Sequence, residues 1–481
     1  MPFPSLIATL LEPPSTDGAE LTALPASVDM LEVRADLVGD IDPEWLRSHF
    51  KGRLLYSLRV EDRSSLNRPE RLQNAARFYD RIELEIETDH SEELWGIIPP
   101  EKRLISWYGR ANDLSQLNER FAQLASVPAA AYKIVTTAET IAEEFLPLSL
   151  IKSLNRTDTI AFAKGPLGFW NRLLALHLGA PAIFGVVSGG TAADMEPAIG
   201  KLIADYGLPE VSPAKELFAI IGNPIFHSLS PRLHNASYRA LNHPALFVPL
   251  RVDSFAEFWR EFVTSRRLDE FGIPINGMTV ASPHKEEAVL TAKMVSSMVQ
   301  QTEATNILVR NNGWWTADTT DPDVVYTASR DRSMSVKEKR AAVIGCGGAG
   351  RAIAAALVQS GAGVTLINRG AERGEHAAAL LGLPYIPLRE FDAEGYDIVV
   401  NATPVGRDTD DVPFELDQLS DDAVVIDLVY GSRPTPLVGT TRARHQLAID
   451  GRDVLVTQVS HQFRLMTGKE MPLDLAREIL L

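Results

Sequence analysis

The chain has 481 residues, enough at ~100–200 residues per domain for two to four domains, and its 45% hydrophobic and 23% charged content lets it bury several cores without a disulfide scaffold. Its 63 acidic residues against 47 basic ones give a formal charge of -16, which argues against a general nucleic-acid or anionic-membrane binder while leaving room for a local basic site. The single cysteine, Cys346, excludes an internal disulfide and a multi-cysteine metal centre and fits a reducing cytoplasm; the N-terminus lacks a basic signal-peptide region, and no apolar run approaches the ~18 residues of a membrane span.

In chain order, β-rich runs fall at 5–11, 29–36, 53–60, 81–87, 103–109, 130–137, 159–165 and 182–188. Helical stretches lie between most of them, among them DPEWLRSHF with a proline in its first turn, RPERLQNAARFY and TAETIAEEFLPLSLIKSL. Eight β/α units in just over 200 residues predict an α/β fold that opens with a small (β/α)8 barrel, an open doubly wound sheet being the alternative. Prolines and small polar residues at 208–216 read as a linker. The pattern restarts with the strand ELFAIIG (216–222), and a second α/β region runs to about residue 322. The charged stretch SRDRSMSVKEKR leads into AAVIGCGGAGRAIAAALVQSGAGVTLINRG, and a helix from VTQVSHQF onward closes the chain. The expected domains are 1–210, a barrel; 216–322, completed by 453–481, a substrate domain; and 323–452, a dinucleotide-binding Rossmann domain.

Gly345, Gly347, Gly348 and Gly350 stand between an apolar strand and a helix, with a second strand, VTLIN, behind them. Glycines there permit the tight turn and the close approach of backbone N–H groups to a pyrophosphate at a helix N-terminus. At the end of the second strand an acidic residue would hold the ribose of NAD. This chain has Asn368 and Arg369 instead, with Arg373 a turn later, and cationic groups there suit the 2′-phosphate of NADP.

NPIFHSLSPRLHN (223–235), VASPHK (280–285), TNIL (305–308), DTTD (318–321), NATPVG (401–406), DLVY (427–430) and VTQVSHQF (456–463) together make residues 216–481 resemble shikimate dehydrogenase. Ser228 and Ser230, just before a helix, offer two hydroxyls as a carboxylate cradle. The resemblance implies that Lys285 and Asp321 form the proton-moving pair at the reacting hydroxyl. It also implies that Asn306 and Gln458 bind ring hydroxyls, that Tyr430 lies at the substrate, and that Asn401 and Thr403 belong to the cofactor wall. Ala281, Ile307, Thr319 and Pro322 depart from the family pattern.

The first ~207 residues resemble a type I 3-dehydroquinate dehydratase, a (β/α)8 barrel, through Glu32, Arg34 and Asp36 in LEVRAD, Arg59, Lys133 in AAYKIV and Arg172 in FWNRLL. The resemblance implies a Schiff-base lysine at Lys133, with Glu32, Arg34, Arg59 and Arg172 binding substrate. Desolvation inside a barrel favours the neutral, nucleophilic amine. Tyr108 stands where the family has its proton-transfer histidine, Arg63 lies near the place of a family glutamate, and Thr191–Met195 replaces the family's closing loop.

The expected activity is therefore NADPH-dependent reduction of 3-dehydroshikimate to shikimate, preceded by dehydration of 3-dehydroquinate in the barrel. Alternatives are a shikimate or quinate/shikimate dehydrogenase carrying a silent barrel, and a pseudoenzyme sensor. No metal is expected, His284 and His461 read as local packing or hydrogen-bonding groups, and the oligomeric state stays open.

Overall fold

The computed structural model describes residues 5–59, 67–187, 196–331, 334–407, 409–431 and 433–480. They form two compact units, Met1–Leu217 with Phe226–Pro274, and Phe218–Ile225 with Ile275–Leu481.

In the first unit eight strands run parallel: β1 (Ser5–Leu10), β2 (Met30–Arg34), β3 (Arg53–Ser57), β4 (Arg81–Glu85), β5 (Arg103–Gly109), β6 (Ala131–Thr137), β7 (Thr159–Lys164) and β8 (Ala182–Val186). Neighbours follow the order β7-β6-β5-β4-β3-β2-β1-β8, so the sheet curls into the expected barrel with its seam between β7 and β8. Alternation along the strands fixes what fills it. Ile7, Met30, Leu55, Leu104, Val135, Ile160, Phe162 and Phe184 make an apolar plug, and the same inward register presents Thr9, Glu32, Ser57, Glu83, Ser106 and Lys133 as a buried polar layer. The stretch TAETIAEEFLPLSLIKSL is helical only from Leu146 to Leu154, because Pro147 sets the first turn; a single 3-10 turn, Glu143–Phe145, precedes it.

The segment 226–274 packs on the barrel's β7–helix side. The Phe262 ring meets Phe145 and Trp170 (centroids 5.6 and 5.1 Å), Phe271 stacks on Phe145, and Phe226 meets Phe169. Arg251 N–H donates to Leu167 O (3.1 Å), and Arg232 pairs with buried Asp205 (2.8 Å). Glu144, wholly buried beside this contact, accepts from Leu167 N–H (2.8 Å), Trp170 Nε1 (2.5 Å) and Asn171 Nδ2 (3.2 Å). Burial pushes its carboxyl up to about 7 against those donors.

In the second unit, Ile275–Val280, Ile307–Asn311 and Trp314–Asp318 pair antiparallel, Met278 opposite Leu308 and Leu308 opposite Ala317. A parallel sheet follows in the order Tyr385–Pro387, Gly363–Asn368, Arg340–Ile344, Ile398–Asn401, Val424–Asp427, Ala448–Ile449. Numbered from the first strand of that sheet this is 3-2-1-4-5-6, the order of a dinucleotide-binding fold. The helix expected from Val456 starts at Gly451, because Asp450 caps it by accepting from Arg452 and Asp453 N–H (3.0 and 3.2 Å); it ends at Thr467, and a separate helix, Leu473–Leu480, follows. Among the described residues no helix is long and apolar enough to cross a membrane.

Candidate active sites

The barrel site centres on the middle of the strands, where Glu32, Glu83 and Lys133 lie, and extends to their C-terminal ends through Ser57 and Tyr108. Lys133, 1% exposed, lies 3.5 Å from Glu32 Oε1 and 3.4 Å from Glu83 Oε1. The interior is thus not the purely apolar one that desolvation alone would require: two carboxylates balance the ammonium charge. Glu32 accepts from Thr9 Oγ1 (2.6 Å), and Ser57 Oγ stands within 2.8 Å of Glu32 and 2.6 Å of Glu83. Tyr108 donates to Glu83 Oε1, and Arg59 Nη2 donates to Tyr108 Oη (2.8 Å) with its guanidinium 4.0 Å above the phenol ring. Burial would raise the Glu83 carboxyl, but the Lys133 and Arg59 charges and its hydrogen bonds hold it well below the usual range. Burial and then the Glu83 charge push the Tyr108 phenol well above its ordinary value, so Tyr108 is a proton donor at neutral pH.

Arg34 forms a two-pronged pair with Asp36 (3.0 and 2.7 Å), which also accepts from Arg59 N–H (3.2 Å). Arg172 is buried and 3.6 Å from Glu196, which Lys164 also holds at 2.7 Å. These two cations draw the Glu196 carboxyl down to about 2 against its burial. Arg59 Nε, Arg172 Nε and Ser106 Oγ are buried without a protein partner, which leaves unspent polar capacity in the site. Arg63 and the Thr191–Met195 segment lie outside the described residues.

The second unit holds the other lysine pair. Lys285 Nζ donates to Asp321 Oδ2 at 2.7 Å; Asp321 Oδ1 accepts from Asn306 Nδ2 (3.0 Å) and Gln458 Nε2 (2.8 Å). Asn306 and Gln458, expected at ring hydroxyls, are here the amides that orient the aspartate. Gln462, one turn past Gln458, donates to Thr320 Oγ1 (3.1 Å) and accepts from Thr279 Oγ1 (3.1 Å). His461 Nδ1 meets Asp323 at 2.5 Å, a bond that raises the imidazole against its burial. Ser228 and Ser230, both buried, belong to the first unit, where Ser230 N–H donates to Ser228 Oγ (3.2 Å) at the start of the helix Ser230–Ala240.

The glycine loop presses on Lys285. A Cβ on Gly348 would come within 2.8 Å of Ala304 Cβ and 3.2 Å of the Lys285 side chain. Gly345 sits at φ +106°, and a Cβ on Gly350 would lie 1.8 Å from Gly345 O, so the strand-to-helix turn excludes any side chain there. Gly347 faces open space, the 12-residue helix Gly348–Gln359 has no acidic residue in its first turn, and its N-terminus has no side-chain cap. Arg369, just past the second strand, and Arg373, in the first turn of the helix Ala371–Leu381, are exposed. These features fit a pyrophosphate and a 2′-phosphate. Asn368 braces the loop, accepting from Cys346 N–H (3.2 Å) and donating to Gly370 O (2.8 Å). Asn401, wholly buried, donates to Asp427 (2.9 Å) and accepts from Thr403 N–H and Oγ1 (3.1 and 2.7 Å), so it supports the wall from behind Thr403. Tyr430 is half-buried and lines a cavity of about 440 Å³ with Gly431, Thr435, Gly451, Arg452 and Val456. The Cys346 thiol is pushed up to about 11 by burial and stays protonated. Among the described residues, no group of three or more His, Cys, Asp or Glu could hold a metal.

Glu83, Glu196, Gln462 and the His461–Asp323 pair were not singled out in the sequence. For Glu83 the signal was present: in RIELEIE the apolar residues Ile82, Leu84 and Ile86 alternate, so a barrel strand that turns them to its helices turns Glu83 inward.

A lysine–carboxylate pair lying against a dinucleotide loop is the arrangement of a nicotinamide-dependent oxidoreductase. Residues 220–308 match the family model of the shikimate dehydrogenase substrate binding domain, residues 9–202 that of type I 3-dehydroquinase, and residues 340–431 that of the coenzyme F420-dependent NADP oxidoreductases. A chloroplastic bifunctional 3-dehydroquinate dehydratase/shikimate dehydrogenase of Arabidopsis thaliana is 27% identical over 426 residues, spanning 84% of this chain and 69% of that protein. The shikimate dehydrogenase (NADP(+)) of Ignicoccus hospitalis is 35% identical over 257 residues, 52% of this chain and 93% of that one. The crystal structure of shikimate dehydrogenase from Aquifex aeolicus superposes with a TM-score of 0.51 at 29% identity, covering 55% of this chain and 97% of that one. The chain belongs to the shikimate dehydrogenase family, and with its type I 3-dehydroquinase part it is a homologue of the bifunctional dehydratase/dehydrogenase.

Proposed function

We propose that the chain is a two-site shikimate-pathway enzyme. Residues 216–481 reduce 3-dehydroshikimate to shikimate with NADPH, and the barrel of residues 1–210 makes 3-dehydroshikimate by dehydrating 3-dehydroquinate through a Schiff base on Lys133. Within 216–481 we take 323–452 as the NADP domain, and 216–322 with 453–481 as the substrate domain. The observation that carries the reading is the Lys285–Asp321 contact of 2.7 Å with Gly348 of the dinucleotide loop packed against the same lysine.

NADPH, held by Gly345–Gly350, Thr403, Arg369 and Arg373, supplies the hydride when bound. Lys285 delivers a proton to the developing alkoxide, and Asp321 holds the ammonium in line and takes part in its reprotonation. Asn306 and Gln458 fix Asp321 in one rotamer by donating to its second oxygen. Ser228 and Ser230 offer two buried hydroxyls suited to a carboxylate, and Tyr430 matches the family's substrate tyrosine. In the barrel, Lys133 attacks the ketone, Arg59 and Arg172 bind the substrate's polar groups, and Tyr108 handles protons. A buried lone thiol and an acidic surface balance suit a reducing compartment such as the cytoplasm and small-molecule partners rather than nucleic acid or membrane.

The test is to incubate the protein with 3-dehydroquinate alone and follow enone absorbance, with 3-dehydroshikimate plus NADPH in parallel. Enone formation and NADPH oxidation are the expected results. NADPH oxidation without enone would leave a dehydrogenase carrying a silent barrel, and neither would remove the reading.

A further inference from the structure

The barrel holds two glutamates at nearly equal distance from Lys133, and they are not equivalent. Glu32 accepts from Thr9, shares the single Ser57 hydroxyl with Glu83 and lies 3.5 Å from the lysine. Glu83 is bonded by Ser57 and by the hydroxyl of Tyr108. A tyrosine whose proton is held this firmly is a poor base unless that proton leaves as another arrives. Glu83, 2% exposed and accepting the phenolic hydrogen bond, is the group placed to take it, and it can do so once enamine formation removes the positive charge on the Lys133 nitrogen that otherwise holds this carboxyl low. Arg59 completes the arrangement. Its Nη2 donates to the same phenol oxygen at 2.8 Å and its guanidinium lies 4.0 Å over the ring, where it stabilises negative charge developing on Oη.

We propose that Glu83 is the proton store of the barrel site, exchanging a proton with Tyr108 in each half of the dehydration. This rests on the reading of the barrel as a Lys133 dehydratase. Once the iminium has formed on Lys133, the C–H bond of the adjacent carbon breaks and its electron pair enters the iminium to give an enamine. The released proton goes to Tyr108 Oη as the phenolic proton passes to Glu83 Oε1. In the second half the enamine expels hydroxide, which takes a proton from Tyr108 and departs as water while Glu83 returns its proton to the phenol. The iminium is restored, and no net proton is gained or lost by the pair.

The experiment combines enone absorbance, borohydride trapping of the Lys133 adduct followed by mass spectrometry, and deuterium uptake from solvent at the adjacent carbon. Glu83→Gln and Tyr108→Phe are each expected to slow enone formation by ~10²-fold or more while still trapping the adduct on Lys133. The double variant should lose no more than the slower single variant, because the two groups act as one unit. Glu83→Gln turning over at close to the parent rate overturns the proposal, and so do losses that multiply in the double variant. If the parent itself traps no adduct and forms no enone, the dehydratase reading fails and takes the proposal with it; if the parent reacts and the variants do too, only the proposal fails. Should Glu83→Gln also lose reduction at Lys285 and so fail to fold, Tyr108→Phe decides alone. Retained adduct with lost deuterium uptake supports the relay, and retained uptake overturns it.

Discussion

Two lysine–carboxylate clusters occupy one chain, and their surroundings differ as the chemistries proposed for them do. Lys285 has one acidic partner and keeps 18% of its side chain exposed. Lys133 is 1% exposed, faces two carboxylates and has a phenol and an arginine within the same network. A lysine that only passes a proton to an alkoxide needs one aspartate and access to water. A lysine that must become covalently bound needs a closed interior in which its charge, its proton and the leaving proton all have fixed destinations. The comparison teaches that the carboxylates around a buried lysine are to be read by what else they touch, not by their distance from the amine.

The sharpest way to break this comparison is to remove each lysine in turn. Lys285→Ala should lower reduction by ~10²–10⁴-fold and leave NADP binding, measured by titration calorimetry, and enone formation nearly intact. Lys133→Ala should abolish enone formation and spare reduction. Cross-inhibition of both activities by either change would mean the sites are not separate.

Gly350→Ala comes next. Its methyl group would collide with Gly345 O, so the turn must open. NADP affinity should fall at least ~10-fold and stability by about 1–3 kcal/mol, read by titration and thermal melting. Replacing Arg369 and Arg373 together by Ala should reduce the preference for NADP over NAD by ~10–100-fold, the worth of one or two charge-assisted hydrogen bonds. An unchanged cofactor ratio would remove these arginines from the site.

A further effect concerns Glu144, one of the barrel's buried carboxylates outside either site. Because the Glu144 carboxyl is raised in the fold to about 7 from 4.5, its contribution to stability is greatest below the unfolded value and is lost as pH rises through about 7. Glu144→Gln should therefore melt closer to the parent near pH 5 and gain on it near pH 8, by roughly 1–3 kcal/mol. A gain that does not vary with pH would refute the assignment.

Much of this was legible before any coordinates. All eight barrel strands fall where alternating β-rich runs bounded by turn residues lie, because each such run buries both faces, one on the helices and one in the plug. Lys285 and Asp321 were legible because several short motifs converge on them. Glu83 is legible only once the barrel is assumed: the alternation of Ile82, Leu84 and Ile86 then turns it inward, whereas in an open sheet with one wet face the same alternation would point it to solvent. The helices starting at Leu146 and Gly451 differ from the sequence expectation for local reasons, a proline in the first turn and an aspartate cap one residue upstream. The pairing of His461 with Asp323 joins residues 138 positions apart, a separation that no short-range pattern encodes.

The docking of residues 226–274 on the barrel has a consequence for how the two activities can be parted. The proline-bearing run near residue 210 looks like the natural place to divide the gene, yet a protein begun at residue 216 would carry Phe226, Phe262 and Phe271 with their aromatic partners Phe145, Phe169 and Trp170 left behind. Each ring returns on the order of 100 Å² or more of apolar surface to water. The shortened chain is therefore expected to be less soluble than the whole one, a difference that sedimentation of the two after expression would read.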